Sequence, residues 1–480
     1  MKQASMDFDL VITNTLVLTM QGKGSNVIED GAIGITDGEL VYVGPNDGLN
    51  PDDADHAIDG TDHLTMPGLV NAHVHTHETL LRGAAQDVPE AEWMDHALSP
   101  FVSQLNDDDR ICGCKLGVLE AVRCGATTIG EYTAGVADLI EAVYRPYGVR
   151  VAATETINMV DRESTDPSET YVFDEASGEA ALARNEALFD QYGDGGLVTA
   201  MYGPQALDMV SLELLSEIRD RATEHDRRIH MHVAQGGRES RQIAARYGRD
   251  ASAVSVLDEH DLLNERFLAA HCHGASSEER ALLAERGASL MANPSSIAAI
   301  DGVVPPIVEY LKYDGTVTIG TDQAPGPGGH NAFREMRTAS LLAKTDATDP
   351  TTLPAWRALR LLTIDGARAL GLDDRIGSLE PGKRADVITI DLRDVGIAPT
   401  VDAPFHTVIP NLVYAATGRE VETVLIDGEV VVQEKEFISA DVDAVVDESE
   451  KRAERVFEEA AEDWRAADSE LVARVEEGWL

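Results

Sequence analysis

Met66-Pro67-Gly68-Leu69-Val70-Asn71-Ala72-His73-Val74-His75 decides how this chain folds. Apolar and small residues run up to two histidines set two apart, which reads as a buried strand ending in His-x-His. Residues i and i+2 of a strand point to one side. The two imidazoles then stand about 6–7 Å apart along the chain, from the strand rise, and can converge on one metal ion. Alone, such a pair suits two surface histidines better. Three later segments end the same way: Arg228-Ile229-His230-Met231-His232, Phe267-Leu268-Ala269-Ala270-His271 and Val317-Thr318-Ile319-Gly320-Thr321-Asp322. His230, one pleat before His232, is expected to pack within the fold. A carboxylate at the end of an apolar strand needs a partner such as a cation.

Outward from this stretch, apolar strands alternate with longer amphipathic segments over residues 67–370. That length and alternation predict an α/β fold, a (β/α)8 TIM-like barrel. Residues 1–66 and 371–440 show short strands broken by turn signals, at Leu10–Thr19, Gly31–Thr36, Leu40–Val43, Ala385–Asp391 and Val421–Val432. They predict a small composite β-sandwich domain made by both chain ends. Residues 441–480 read as a C-terminal amphipathic helix, with Val446, Ala453, Phe457, Ala460, Trp464, Ala467, Leu471 and Val475 at near-helical spacing. In a barrel, the C-terminal ends of all strands meet at one face. His73 and His75 from the first strand, His232 from the fifth, His271 from the sixth and Asp322 from the eighth would meet there. Three or four N/O ligands with an open position are what a hydrolytic metal site needs.

The chain has 480 residues, with 85 acids against 39 Lys and Arg, a net charge of −46. The acids are spread over the whole chain. Such an excess repels nucleic acid and anionic membranes, so the expected ligand is a small molecule. It reads as adaptation to a salt-rich cytoplasm, where short Debye lengths screen self-repulsion. No long apolar stretch predicts a membrane span, and Met1–Asp9 lacks the pattern of a signal peptide. Cys112, Cys114, Cys124 and Cys272 are too few for a disulfide framework, and Cys112-Gly113-Cys114 falls in a helical segment. Buried thiols and a reducing cytoplasm follow. Gly326-Pro327-Gly328-Gly329 reads as a turn rather than a phosphate loop, and His77 as a loop residue.

Pro67-Gly68-Leu69-Val70-Asn71-Ala72-His73-Val74-His75, Thr79-Leu80-Leu81-Arg82-Gly83, Ala270-His271-Cys272, Gly320-Thr321-Asp322 and Gly377-Ser378-Leu379-Glu380-Pro381-Gly382-Lys383 together resemble the amidohydrolase superfamily. The likeness covers nearly the whole chain. It is similar to the branch of atrazine and N-ethylammeline chlorohydrolases and methylthioadenosine/S-adenosylhomocysteine deaminase. The resemblance implies that His73, His75, His232 and Asp322 bind one divalent metal, zinc foremost with iron or manganese as alternatives. It places His271 beside a metal-bound water, with Asp322 taking its proton and the resulting hydroxide attacking an electron-poor ring carbon. Ammonia, an amine or chloride would leave. Aminohydrolysis of a small heterocycle or amidine is the leading reading. Hydrolytic dehalogenation is the alternative, and a non-catalytic scaffold a third. Two-metal relatives bridge their ions with a carboxylated lysine, and no lysine lies between Lys115 and Lys312. One ion is therefore expected, with a glutamate bridge left open. The resemblance also implies a homo-oligomer, a dimer or a tetramer.

The chain departs from that pattern at the substrate. The fifth-strand histidine is followed three residues on by glutamate in the branch, but here by Gln235, which carries no titrating proton. Glu131, Glu155 and Glu239 are candidates to replace it. Gln205 stands where nucleoside deaminases have histidine, and Pro100-Phe101-Val102-Ser103 lacks their ribose-binding acid. These changes argue against methylthioadenosine or S-adenosylhomocysteine as substrate, with Gln235, Gln205 and Glu131 as the expected substrate contacts.

Overall fold

The computed structural model describes residues 8–161, 169–193 and 195–479. Residues 1–7, most of the stretch read above for a signal peptide, lie outside them. Eight parallel strands alternate with helices: β1 (Leu69–Val74), β2 (Ala126–Thr133), β3 (Arg150–Ile157), β4 (Val198–Pro204), β5 (Ile229–Val233), β6 (Phe267–His271), β7 (Ser289–Ala292) and β8 (Val317–Ile319). Each pairs with the next in chain order. Every residue of β1, β2, β5 and β6 is buried, which explains their near-continuous apolar runs. A bridge between Val74 and Asp322 brings the sheet round into a nearly closed barrel. The seam therefore runs between two of the sequence-predicted site segments: the Asp322 N–H donates to the His73 carbonyl (2.9 Å), and the His75 N–H to the Asp322 carbonyl (3.2 Å). Gly320 permits this approach. A β-carbon there would stand 2.5 Å from the His73 carbonyl oxygen and 2.6 Å from the Asn293 side-chain amide.

Strict alternation along β1 would not place the histidines correctly. Val70 and Ala72 pack with Ala152, Met201, Leu268, Ala270 and Met291 in one cluster, whereas Leu69 and Val74 join the helix-side core. The parity switches between them, where the β1–β2 register shifts between Asn71 and Val74. Such an irregularity re-aims side chains, and here it delivers His73 to the side that Val70 and Ala72 face.

Nine strands from both chain ends form a separate sheet, joined where His63–Pro67 pairs antiparallel with Val387–Asp391. Leu10, Ile12 and Ile33 pack with Val387 and Leu425 in its core. The expected single strand over 421–432 is a hairpin, Val421–Ile426 and Glu429–Gln433, turning at Asp427 (φ 57°) and Gly428 (φ 86°). Two positive φ values suit the tight turn that matches strand twist. Arg150 of β3, 1% exposed, ties barrel to sheet: Nε and Nη2 donate to the two Asp386 oxygens at 2.7 and 2.8 Å, and Nη2 also to Asp427 at 2.9 Å.

The C-terminal segment is two helices, Val442–Ala466 and Glu470–Glu476, not one. Asp468 takes φ 51° between them. The buried face is Val445, Ser449, Val456 and Ala460, while Val446, Phe457 and Val475 keep part of their surface in solvent. Phe457 still meets Phe101 (centroids 4.5 Å apart), and Arg452 and Arg455 bond Asp109. These helices cover the segment that follows β1, with Leu80, Leu81, Ala84 and Phe101 in a shared core with Val456, Ala460 and Leu471. Cys112 and Cys114 are buried in the helix Asp107–Arg123, and all four thiols are free. Among the described residues, no helix is long and apolar enough to cross a membrane.

Candidate metal centre

His73, His75, His232, His271 and Asp322 meet at the C-terminal mouth of the barrel. Ligand atoms of His73, His232 and His271 lie within 4.8 Å of one another, and so do those of His73, His75 and Asp322. Asp322 Oδ1 stands 3.5 Å from His73 Nε2 and 3.4 Å from His75 Nε2. The backbone holds His271 (φ 75°) and Asp322 (φ 61°) in the left-handed region, a strain that clusters at working sites.

The second nitrogen of each ring shows which atom is left for a ligand. A carbonyl can only accept, so His75 Nδ1 donates to the Tyr132 carbonyl (2.7 Å) and His232 Nδ1 to the Gln205 carbonyl (3.0 Å). Both keep a lone pair on Nε2. The Asn293 amide, turned so that its nitrogen donates to the Gly320 and Ala292 carbonyls, accepts from His271 Nδ1 at 3.1 Å. His73 Nδ1 lies 2.8 Å from His230 Nε2, and His230 Nδ1 lies 3.2 Å from Thr154 Oγ1. With His73 donating to His230 and His230 to the hydroxyl, His73 Nε2 is free. That atom is buried and has no hydrogen-bond partner. An orphaned imidazole nitrogen among three others and a carboxylate is a donor set for a divalent cation.

Electrostatics agree. Burial drives the His232 ring well below the usual histidine range and His271 to about 3. His73 falls too, by burial against the pull of Asp322. These rings are neutral, as ligands must be. For His75, burial is outweighed by Asp322, and its pKa rises to about 9. Burial also opposes charge on Asp322, yet His73 and His75 hold its carboxyl well below the carboxylate range. The pocket thus stabilises one positive charge between His75 and Asp322, which a metal ion can take over from the proton. Ser296 donates to Asp322 Oδ2 at 2.6 Å.

The expected substrate residues fall differently. Glu131 does not open toward the mouth. It is wholly buried, and accepts from the Thr76 N–H (3.1 Å), the Thr76 hydroxyl and the Tyr144 hydroxyl (2.5 Å). It fastens the turn after β1. Glu155 is occupied by the Val136 N–H and Arg184. Glu239 accepts from the Gln235 N–H at 2.6 Å, and burial raises its pKa to about 8. Gln205 offers its carbonyl to His232, and its side-chain oxygen accepts from Asn158. Among the described residues the Gln235 side chain makes no hydrogen bond and is half-buried. Sequence reasoning missed two residues here. His230 was legible as the i−2 neighbour of His232 but was read as packing alone. Ser296 carried no signal. Glu78 follows His77 in the turn Thr76–Leu81, and burial raises it to about 7.

The Amidohydrolase family model matches residues 64–431. The chain belongs to this family. It is a metal-dependent hydrolase of carbon–nitrogen bonds other than peptide bonds. It is 35% identical over 445 residues to the 5-methylthioadenosine/S-adenosylhomocysteine deaminase of Moorella thermoacetica, covering 92% of this chain and 98% of that protein. It is 31% identical over 450 residues to the 5'-deoxyadenosine deaminase of Methanosarcina mazei, covering 93% and 98%. The crystal structure of an adenosine deaminase from Xanthomonas campestris with bound zinc superposes with a TM-score of 0.83 at 30% identity, over 94% and 98% of the chains. The atrazine chlorohydrolase of Arthrobacter aurescens, complexed with zinc, gives 0.81 over 92% and 100%, but at 22% identity it shares the fold only. The dehalogenase alternative is therefore not favoured.

Proposed function

We propose that this family member is an aminohydrolase that releases ammonia from an amino-substituted nitrogen heterocycle, with an adenine-type ring the first candidate. The observation that carries the reading is the convergence of four neutral-capable imidazoles and Asp322, with His73 Nε2 left without a partner. His73, His75, His232 and Asp322 would hold one divalent ion, and zinc, iron and manganese all suit such donors. When bound, the ion supplies Lewis acidity that brings the ionisation of water toward neutrality. Asp322, fixed by Ser296, can take the proton and return it to the departing nitrogen. His271 Nε2, neutral at working pH, can accept a hydrogen bond and so orient the attacking water. The balance is one water consumed, the C–NH2 bond broken, and ammonia and a ring carbonyl formed. Gln235 can orient the ring through its amide but cannot protonate it. The names of the deaminase relatives favour a purine. The absence of an acid in Pro100-Phe101-Val102-Ser103 favours a ring without a diol anchor.

The acidic composition we read as adaptation to a salt-rich cytoplasm, and homo-oligomerisation is part of the proposal. The test is to purify the protein in multimolar KCl, measure bound metal, and assay ammonia from purines, pyrimidines, pterins and triazines, with Gln235→Glu in parallel. One metal per chain and ammonia from wild type are expected. Full activity in metal-free protein would overturn the reading. Activity gained only in Gln235→Glu would mean that wild type hydrolyses a different bond.

A further inference from the structure

We infer that His330 is a positioning residue for Asp322: it couples Thr321, the residue before that carboxylate, to the turn that follows His75, and so fixes two ligand-bearing segments across the barrel seam. This deepens the aminohydrolase reading and rests on the role proposed there for Asp322. The loop Gly326-Pro327-Gly328-Gly329 turns with Gly328 at φ 104° and delivers His330 to the interior, where it is wholly buried. Asn331 then caps the helix Ala332–Ala347, its side chain accepting from the Arg334 N–H at 3.1 Å. The chain is therefore fixed on the far side of the histidine as well.

The direction of each hydrogen bond around His330 follows from its neighbours. The Thr79 hydroxyl donates to the Thr76 carbonyl (2.6 Å), so its oxygen accepts from His330 Nε2 (2.9 Å). Burial, helped by the Arg82 charge, drives the ring's pKa to about 3, so it is neutral and Nδ1 carries a lone pair. That lone pair accepts from the Thr321 hydroxyl at 3.0 Å. Thr321 Oγ1 in turn accepts from Asn71 Nδ2 (2.8 Å), and the Asn71 side-chain oxygen accepts from the Thr321 N–H (3.0 Å). One directed chain runs from Asn71 of β1 through Thr321, His330 and Thr79 to Thr76, and every member is buried. Gly117 leaves room for it: a β-carbon there would stand 2.5 Å from Thr79 Oγ1 and 3.1 Å from His330 Cδ2. A fully satisfied buried network is rigid and specifies one geometry. Thr321 precedes Asp322 and Thr76 follows His75, and the backbones of those two ligands meet at the seam. Ser296 holds the Asp322 side chain; the chain through His330 holds the backbone that carries it.

The experiment removes one end of the ring at a time. In His330→Gln the amide stands where Nε2 was and can serve Thr79, but the Thr321 hydroxyl loses its acceptor. In His330→Asn the amide stands where Nδ1 was and can still accept from Thr321. Zinc affinity is measured by competition with a chromophoric chelator, kcat and KM by ammonia released from a 6-aminopurine, and folding by thermal melting. His330→Gln is expected to bind zinc about tenfold more weakly and to lower kcat about tenfold with KM little changed, and His330→Asn to recover most of both. Thr321→Val removes the hydroxyl and keeps the N–H to Asn71. It is expected to reproduce the loss in His330→Gln, and it carries the test if the ring variants do not fold. Were His330 only packing, both of its variants would melt lower while zinc affinity and kcat of the folded proteins stayed as in wild type. That result overturns the assignment, as does His330→Asn no better than His330→Gln, or wild-type affinity and kcat in folded Thr321→Val. Wild type that binds zinc but releases no ammonia overturns the parent reading instead, and the zinc affinities then decide the assignment by themselves. Wild type that binds no zinc overturns both.

Discussion

Replacing His230 is the sharpest test of how the metal centre is built. His230 is wholly buried, 2.8 Å from His73 Nδ1 and 3.2 Å from the Thr154 hydroxyl. It touches no cation in the proposed arrangement. It holds the His73 ring in the tautomer that leaves Nε2 free. In His230→Ala the His73 N–H loses its acceptor in a dry environment, and an unsatisfied buried donor costs about 1–3 kcal/mol. Loss of such an orienting bond costs about 10–100-fold in metal affinity, which is about 1.4–2.7 kcal/mol. His230→Gln places an amide oxygen close to the lost Nε2 and is expected to recover most of the affinity. The assay is competition with a chromophoric chelator, on variants whose fold is checked by circular dichroism. A folded His230→Ala protein that binds metal as tightly as wild type would refute the reasoning, since His73 would then need no orienting partner.

Arg150→Ala leaves Asp386 buried without its bidentate partner, and breaking a buried pair costs about 3–5 kcal/mol; chemical denaturation should show a loss of that size, and a change under 1 kcal/mol would mean the barrel and sheet are held together without it. Metal loading at pH 7 should release about one proton, because the ion takes the place of the His75 proton held at about 9; calorimetry in buffers of different ionisation heat measures this. The sign for the metal-free protein follows from the same group. A raised folded pKa stabilises fully below the unfolded value near 6.5 and is lost as pH rises through about 9, so apo stability should decline across that window and holo stability should not; parallel declines would place the proton elsewhere.

What the sequence made legible was set by range. His73, His75, His232, His271 and Asp322 each close an apolar strand, so local patterning and one rule about barrels were enough to gather them. The hairpin at 421–433 was hidden because its Asp427-Gly428 turn is only two residues long inside a continuous apolar run. The break at Asp468 was hidden because helical spacing resumes after it. His230 needed more. Its partner His73 is 157 positions away, and period-2 reasoning states which side it faces but not what waits there. Glu131 was illegible for a related reason. That it is fastened depends on Thr76 and Tyr144, and on the helices that fold over the turn from the far end of the chain.

The charge of −46 leads to the last prediction. Repulsion among acids spread over a whole surface is long-ranged, and salt removes it: the Debye length falls from about 10 Å at 0.1 M to 3 Å at 1 M. Salt also weakens ion pairs, so the sign of its net effect has to be argued. The pairs that join parts of this fold are short and sheltered. Asp109, fully buried, meets Arg452 at 3.1 Å and also holds Arg455, while Arg150 and Asp386 are 2.7 Å apart with almost no exposure. Screening acts weakly on contacts this close and strongly on charges a Debye length apart. Repulsion should therefore be lost faster than attraction, and the melting temperature should rise from 0.1 to 1 M KCl, then flatten once screening is complete. NaCl should do the same if screening is the cause. A melting temperature that falls with salt would show that exposed ion pairs, not self-repulsion, dominate the surface. A rise that continues steeply beyond 1 M would show that exclusion of salt from the surface, rather than screening of its charges, stabilises the fold.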